Sequence, residues 1–169
     1  MNLSTKERML LEDQKNQEKL CIQKYSNYAN LASCSQLKSI FQQNGQIEQE
    51  HYNTIDQLLN GQMPAMNQQS GGQQQSGMQQ MKSQQPQTTQ QSSSFQPKVN
   101  STNYNNSDKD LCSDMLMTEK YVSSAYDTAI FEFRDAQVRN VLNHIQKEEQ
   151  QHGESIFKYM ESNGMYQVQ

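Results

Sequence analysis

The sequence predicts an all-α fold, an antiparallel four-helix bundle built from two αα-hairpins and joined by a long, disordered, Gln-rich crossover. Three observations predict it. Apolar residues recur at spacings of three, four and seven in both flanks of the chain. The composition breaks sharply at Gly61 and again near Ser107. The flank after the break repeats the flank before it at a constant offset of 101 positions, without a gap.

Residues 1–60 read as the first hairpin. Ser4-Thr5-Lys6-Glu7 is a candidate capping box, and helical periodicity runs on through Leu11, Cys21, Ile22, Tyr25, Tyr28 and Ala29. A weak break falls at Ser33-Cys34-Ser35, after which Leu37, Ile40, Phe41, Ile55 and Leu59 mark a second helix that Gly61 stops. Residues 61–107 hold all three prolines, no acidic residue, and Lys82 and Lys98 as their only charges. Dominated by glutamine and serine, this stretch buries too little apolar area to offset chain entropy and reads as a disordered linker. Residues 108–164 read as the second hairpin, through Leu111, Met115, Leu116, Val122, Tyr126 and Phe133, with a turn near Asp135. Its second helix carries Val138, Leu142, Ile145, Ile156, Tyr159 and Met160 to a stop at Ser162-Asn163-Gly164, and 165–169 form a tail. Each helix spans about 25 residues, or about 40 Å.

Composition narrows the function. The 169 residues are 33% hydrophobic with a mean hydropathy of −1.03, low for a chain packed throughout. A net charge of −4 gives no electrostatic footprint for nucleic acid or anionic lipid, and no apolar run is long enough for a membrane span. The opening MNLSTKERMLLEDQKNQ turns charged at once, so a cytoplasmic start is expected. Cys21, Cys34 and Cys112 are odd in number, widely spaced and without a CxxC pair, which excludes a thiolate metal ribbon and argues against a disulfide framework.

The repeat carries the chemistry. It places Glu18 on Glu119, Tyr25 on Tyr126, Glu48 on Glu149 and His51 on His152. Glu149 and His152 sit inside an apolar stripe, where burial of a carboxylate and an imidazole costs roughly several kcal/mol unless a partner or metal offsets it. One Glu-x-x-His is cheap in a charged helix; the same pattern twice, each with a glutamate on the preceding helix, is not. Residues at i and i+3 share a face, so Glu48 with His51, and Glu149 with His152, form two-ligand claws. Folding each hairpin brings Glu18 beside Glu48 and Glu119 beside Glu149. Docking the hairpins assembles four carboxylates and two imidazoles, the ligand set of di-iron and di-manganese carboxylate bundles. Oxygen and nitrogen donors without thiolate suit two iron or manganese ions. Tyr25 and Tyr126, about two turns from Glu18 and Glu119, are placed either as donors to those carboxylates or as ordinary core tyrosines. Glu50, Glu148 and His144 fall off the stripe and are expected to be solvated.

Two resemblances rest on these residues. Glu18, Tyr25, Glu48 and His51, with EQEH at the claw, are similar to the ferritin-like superfamily and to rubrerythrins in particular. DLCSDMLMTEKYVSSAY, the LNHIQKEEQQH run and the closing Gly164-Met165-Tyr166 resemble the coat F family of bacterial spore coat proteins, over about sixty C-terminal residues; that family's usual Gly-Trp-Tyr ending is Gly-Met-Tyr here. The coat F resemblance implies a coat component made in the mother-cell cytoplasm, with other spore coat proteins as partners. The bundle is compatible with a homo-oligomer. The glutamines of the linker, the lysines and the eight tyrosines would suit cross-linking, and a plain tether is the other reading of the linker. The rubrerythrin-like pattern implies an alternative, a cytoplasmic or spore-surface enzyme that consumes peroxide or oxygen. Rubrerythrins add an iron-thiolate module that this chain lacks, so its electrons would come from elsewhere. Iron storage fits less well, because nothing in the chain marks a cage-forming surface.

Overall fold

The computed structural model describes residues 2–65 and 107–166, which form four helices: α1 (Thr5–Leu31), α2 (Ser35–Leu59), α3 (Asp108–Glu132) and α4 (Ala136–Ser162). No strand occurs among the described residues. The expected disorder of the Gln-rich stretch concerns, for 66–106, positions outside the described residues. No described helix is long and apolar enough to cross a membrane.

The helix ends follow from local chemistry. Ser4 and Glu7 complete the capping box: the Ser4 amide donates to Glu7 Oε2 at 2.7 Å and the Glu7 amide to Ser4 Oγ at 3.2 Å. Ser107 and Asp135 cap α3 and α4 through their side chains, while Cys34 opens α2 without a side-chain cap. Gly61 and Gly164 adopt positive φ of 76° and 68° just past α2 and α4, a backbone state that other residues resist.

The 101-residue offset holds in three dimensions. Ser35 and Ala136 begin the second helix of each hairpin at equivalent positions, and the turns at 32–34 and 133–135 correspond. A pair of carboxylates ties each turn to the opposite hairpin. Glu7 receives the Arg134 amide at 3.0 Å and its Nη2 at 3.1 Å. Asp108, the residue that repeats Glu7, receives the Ser33 amide at 2.9 Å, Ser33 Oγ at 2.7 Å and the Cys34 amide at 3.2 Å. Ser33 and Arg134 are themselves 101 positions apart, so the clamps are reciprocal.

These clamps fix the topology. α3 starts beside the end of α1 and ends beside its start, so the two run antiparallel. α1 packs on α2 and α3, and α4 on α3 and α2, so every packed neighbour is antiparallel. The chain leaves α2 at one end of the bundle and begins α3 at the other. Both hairpins belong to one compact unit.

The apolar stripes meet in two clusters, each drawing on both hairpins. One contains Leu11, Cys21, Ile55, Val122, Tyr126, Phe133, Val138 and Leu142. The other contains Tyr25, Leu37, Phe41, Leu111, Met115, Ile156, Tyr159 and Met160. Cys21 and Cys112 are buried, Cys34 is half-buried, and all three are free thiols.

Candidate metal centre

Six buried polar side chains meet inside the bundle. Glu18, Glu48 and Glu149 are 0% exposed, and His51, Glu119 and His152 are 2% exposed. One turn of helix separates the members of each claw, and the antiparallel packing of α2 on α4 sets the two claws face to face. The imidazole rings of His51 and His152 lie nearly parallel with centroids 5.7 Å apart.

Their donor atoms sort into two overlapping groups, within each of which all ligand atoms lie within 4.8 Å of one another. Glu18, Glu48, His51 and Glu149 form one; Glu48, Glu119, Glu149 and His152 form the other. Glu48 and Glu149 are common to both groups. Nδ1 is the inward nitrogen of both rings: that of His51 lies 3.0 Å from Glu149 Oε1 and 3.4 Å from Glu48 Oε2, and that of His152 lies 3.1 Å from Glu48 Oε1 and 3.7 Å from Glu119 Oε2.

The residues fit a metal pair on a second ground. Glu18 Oε2, Glu48 Oε2, Glu119 Oε2 and Glu149 Oε2 are buried without a hydrogen-bond partner, while Glu149 Oε1 and His51 Nδ1 face each other at 3.0 Å as an ion pair. Buried polar atoms are rarely left so, because each costs about 1–3 kcal/mol. Four such oxygens, with the two inward imidazole nitrogens, are a ready donor set for divalent ions that prefer oxygen and imidazole nitrogen. Cys21, one turn beyond Glu18, adds no thiolate: burial, with the surrounding carboxylates, keeps its thiol protonated.

Protons balance the cluster in the metal-free chain. Burial drives Glu18 well above the carboxylate range and pushes Glu119 up to about 8. Burial also opposes ionisation of Glu48 and Glu149, but the neighbouring imidazoles outweigh it and hold both below their ordinary value. Burial opposes the charge on the imidazoles too, but carboxylates outweigh it: Glu148 first, with Glu149, Glu18 and Glu48, raises His51 well above its usual range, and Glu119 first, with Glu149 and Glu48, raises His152 to about 11.

The tyrosines reach across the bundle. The Tyr25 hydroxyl donates to Glu119 and the Tyr126 hydroxyl to Glu18, each binding the glutamate of the other hairpin rather than that of its own helix. Burial, reinforced by those glutamates, holds both phenols well above their ordinary pKa. Asn44 Nδ2 in turn donates to the Tyr25 hydroxyl at 3.1 Å.

One expectation is corrected. Glu148 is not simply solvated: its side chain is 28% exposed, and Oε2 lies 3.0 Å from His51 Nε2, the outward nitrogen of that ring. The bundle closes over Glu148 because it stands one residue before Glu149 on the edge of α4 that faces α2. His51, in turn, holds its carboxyl below the ordinary range. A carboxylate on the outer nitrogen of a ligating imidazole fixes ring orientation and raises its basicity. His144 lies at the surface, 3.5 Å from the same carboxylate, and Glu50 is exposed. Sequence reasoning also missed Asn44, although a lone amide four residues before Glu48 and three after Phe41 lies in the buried stripe of α2.

Fold and site together define an all-α bundle with a paired Glu/His centre of internal twofold design. Residues 107–169, the second hairpin with its approaches, match the Coat F domain family. No curated protein matches the chain, and no solved structure does.

Proposed function

We propose that this chain is a spore coat component whose ferritin-like bundle holds two iron or manganese ions through Glu18, Glu48, His51, Glu119, Glu149 and His152. The Coat F match over 107–169 supports the coat role. The observation that carries the metal role is the convergence of buried, unpartnered oxygens from four carboxylates on two inward imidazole nitrogens. Glu48 and Glu149 would be shared by both ions, with Glu18 and His51 at one and Glu119 and His152 at the other. Bound ions would supply Lewis-acid and redox chemistry. The chain's own residues orient the ligands: Tyr25 and Tyr126 pin Glu119 and Glu18, and Glu148 sets His51.

Ions that occupy the centre displace its protons and stabilise the native state through their binding free energy. Adding Mn(II) or Fe(II) to chelator-treated protein should therefore raise the melting temperature, and Glu149→Ala with His152→Ala should abolish the rise. A double variant that responds to metal as the parent does would leave the coat role alone. Recovery of the chain from purified spore coat, rather than from the mother-cell soluble fraction, tests that role separately.

A second reading, an oxidoreductase that consumes peroxide or oxygen, is favoured by one observation: both hairpins carry a complete set of three ligands, although the packing of a coat bundle requires none of them. Peroxide loss that depends on added metal and on His152 would support it.

A further inference from the structure

The two hairpins screen the centre differently. Between α3 and α4 lies a cavity of about 650 Å³ whose lining includes Leu116, Gly153 and, from the centre itself, Glu119 and Glu149. The positions that correspond to Leu116 and Gly153 in the first hairpin are Lys15 and Tyr52. There the Lys15 ammonium lies over the Tyr52 ring, 5.0 Å from its centroid, and is tied to Asp56 at 2.5 Å. Neither of the cavities described on that hairpin is lined by Glu18 or Glu48.

Charge differs as well. The α3/α4 cavity carries Asp127, Glu154 and the inner Glu149 against Lys120 alone. The cavity beside Tyr52 carries Arg8, Lys15 and Lys19 against Glu12 and Asp56. A cleft lined by one sign of charge concentrates ions of the opposite sign. At its inner end stand carboxylate oxygens with no hydrogen-bond partner, on side chains no more than 2% exposed.

We propose that the α3/α4 cavity is the route by which divalent cations reach the centre, kept open by the missing side chain at Gly153 and drawn on by Asp127 and Glu154. The inference rests on the metal reading above. The route narrows to Glu119 and Glu149, so an ion passes as the side chains around them move, and a larger residue at 153 obstructs that step. A Cβ at Gly153 would lie 3.6 Å from Leu116 Cδ1 and 3.9 Å from Glu119 Cβ, ordinary contacts that leave the bundle intact.

The test is stopped-flow uptake and chelator-driven release of Mn(II) by the full chain. Gly153→Leu should slow uptake and release together by tenfold or more, with stoichiometry and affinity unchanged. Gly153→Ala, which fits without displacement, should slow both several-fold and carries the test if the leucine variant does not fold. Asp127→Asn with Glu154→Gln should slow uptake a few-fold at low ionic strength and lose that effect in high salt. Parental rates in a folded Gly153 variant would overturn the route while leaving the metal centre standing. Slower uptake with unaltered release would mean damage to the site and would also overturn it. A parent chain that binds no Mn(II) at all would overturn both the route and the centre.

Discussion

The α1–α2 and α3–α4 hairpins are two versions of one design, and their differences teach more than their likeness. They share what builds the bundle: a glutamate and tyrosine on the first helix, a Glu-x-x-His claw on the second, and a carboxylate that clamps the other hairpin's turn. They differ around the claws. Glu148 holds His51 Nε2, whereas the residue in its place on α2 is Ile47, and His152 Nε2 has no partner. Asn44 supports Tyr25, whereas Ile145 stands in the other half. Tyr52 covers one flank and Gly153 opens the other. The shared residues build the two overlapping Glu/His groups; the unshared ones make the surroundings of those groups unequal.

The largest expected effect tests whether the hairpins fold as one. Phe41 and Leu142 are repeat partners, both 0% exposed, and each packs in a cluster drawn from both hairpins. Phe41→Ala should cost about 3–5 kcal/mol and Leu142→Ala about 2–5 kcal/mol. Each variant should unfold in a single denaturant transition. Two transitions would break the comparison, because they would mean that the hairpins are separate bodies.

Exchanging the residues next to the claws comes next. Glu148→Ile should weaken one of two steps in a calorimetric Mn(II) titration by about 10- to 100-fold, the usual effect of losing a partner behind a ligand. Ile47→Glu should strengthen the other step by giving His152 Nε2 a carboxylate. If both substitutions shift both steps alike, the two positions are not distinguished in this way.

The clamps differ in degree. Glu7 is 3% exposed, and the Arg134 guanidinium holds its carboxyl down to about 2. For Asp108, burial opposes the charge, but the Ser33 and Cys34 amides and the Ser33 hydroxyl outweigh it and keep the carboxyl below its ordinary range. Both folded-state values lie below the unfolded ones, so each contribution is complete above the ordinary carboxylate range and is lost as pH falls through it, for Glu7 towards about 2. Glu7→Gln should cost about 2 kcal/mol at neutral pH and Asp108→Asn about 1 kcal/mol or less. Denaturant melts at pH 7 and pH 3 check both the order and the sign, since each deficit should shrink in acid.

The smallest effects have opposite signs. A Cβ at Gly45 would lie 3.0 Å from Tyr25 Cβ, on a ring pinned by Glu119 and Asn44, so Gly45→Ala should destabilise by about 1 kcal/mol despite the better helix former. Gly153→Ala meets only ordinary contacts and should stabilise by about 0.5–1 kcal/mol. Equal shifts in melting temperature would contradict this picture of the two faces.

Most of the fold was legible because its signals are periodic. Val138, Leu142, Ile145, Ile156 and Tyr159 line one stripe of α4, and glycines at 61 and 164 stop α2 and α4. The six candidate ligands were legible for a different reason: a buried polar pair that recurs at a fixed offset stands out against an apolar stripe. What escaped depends on pairing between helices that no local spacing encodes. Glu148 looks solvated on α4 alone, with the exposed His144 beside it, and acquires its buried partner, His51, from α2. The crossing of Tyr25 to Glu119 and of Tyr126 to Glu18 needs the two hairpins docked. The meaning of Gly153 appears only when it is set against Tyr52.

The claim at the centre is that Glu48 and Glu149 are shared by two ions. Crystals of the full chain soaked in Mn(II), with data collected at the manganese edge, measure it directly. The account predicts two anomalous peaks inside the bundle, both within ligand distance of Glu48 and Glu149, one beside His51 and the other beside His152. A single peak, or peaks only on the protein surface at saturating metal, would contradict it.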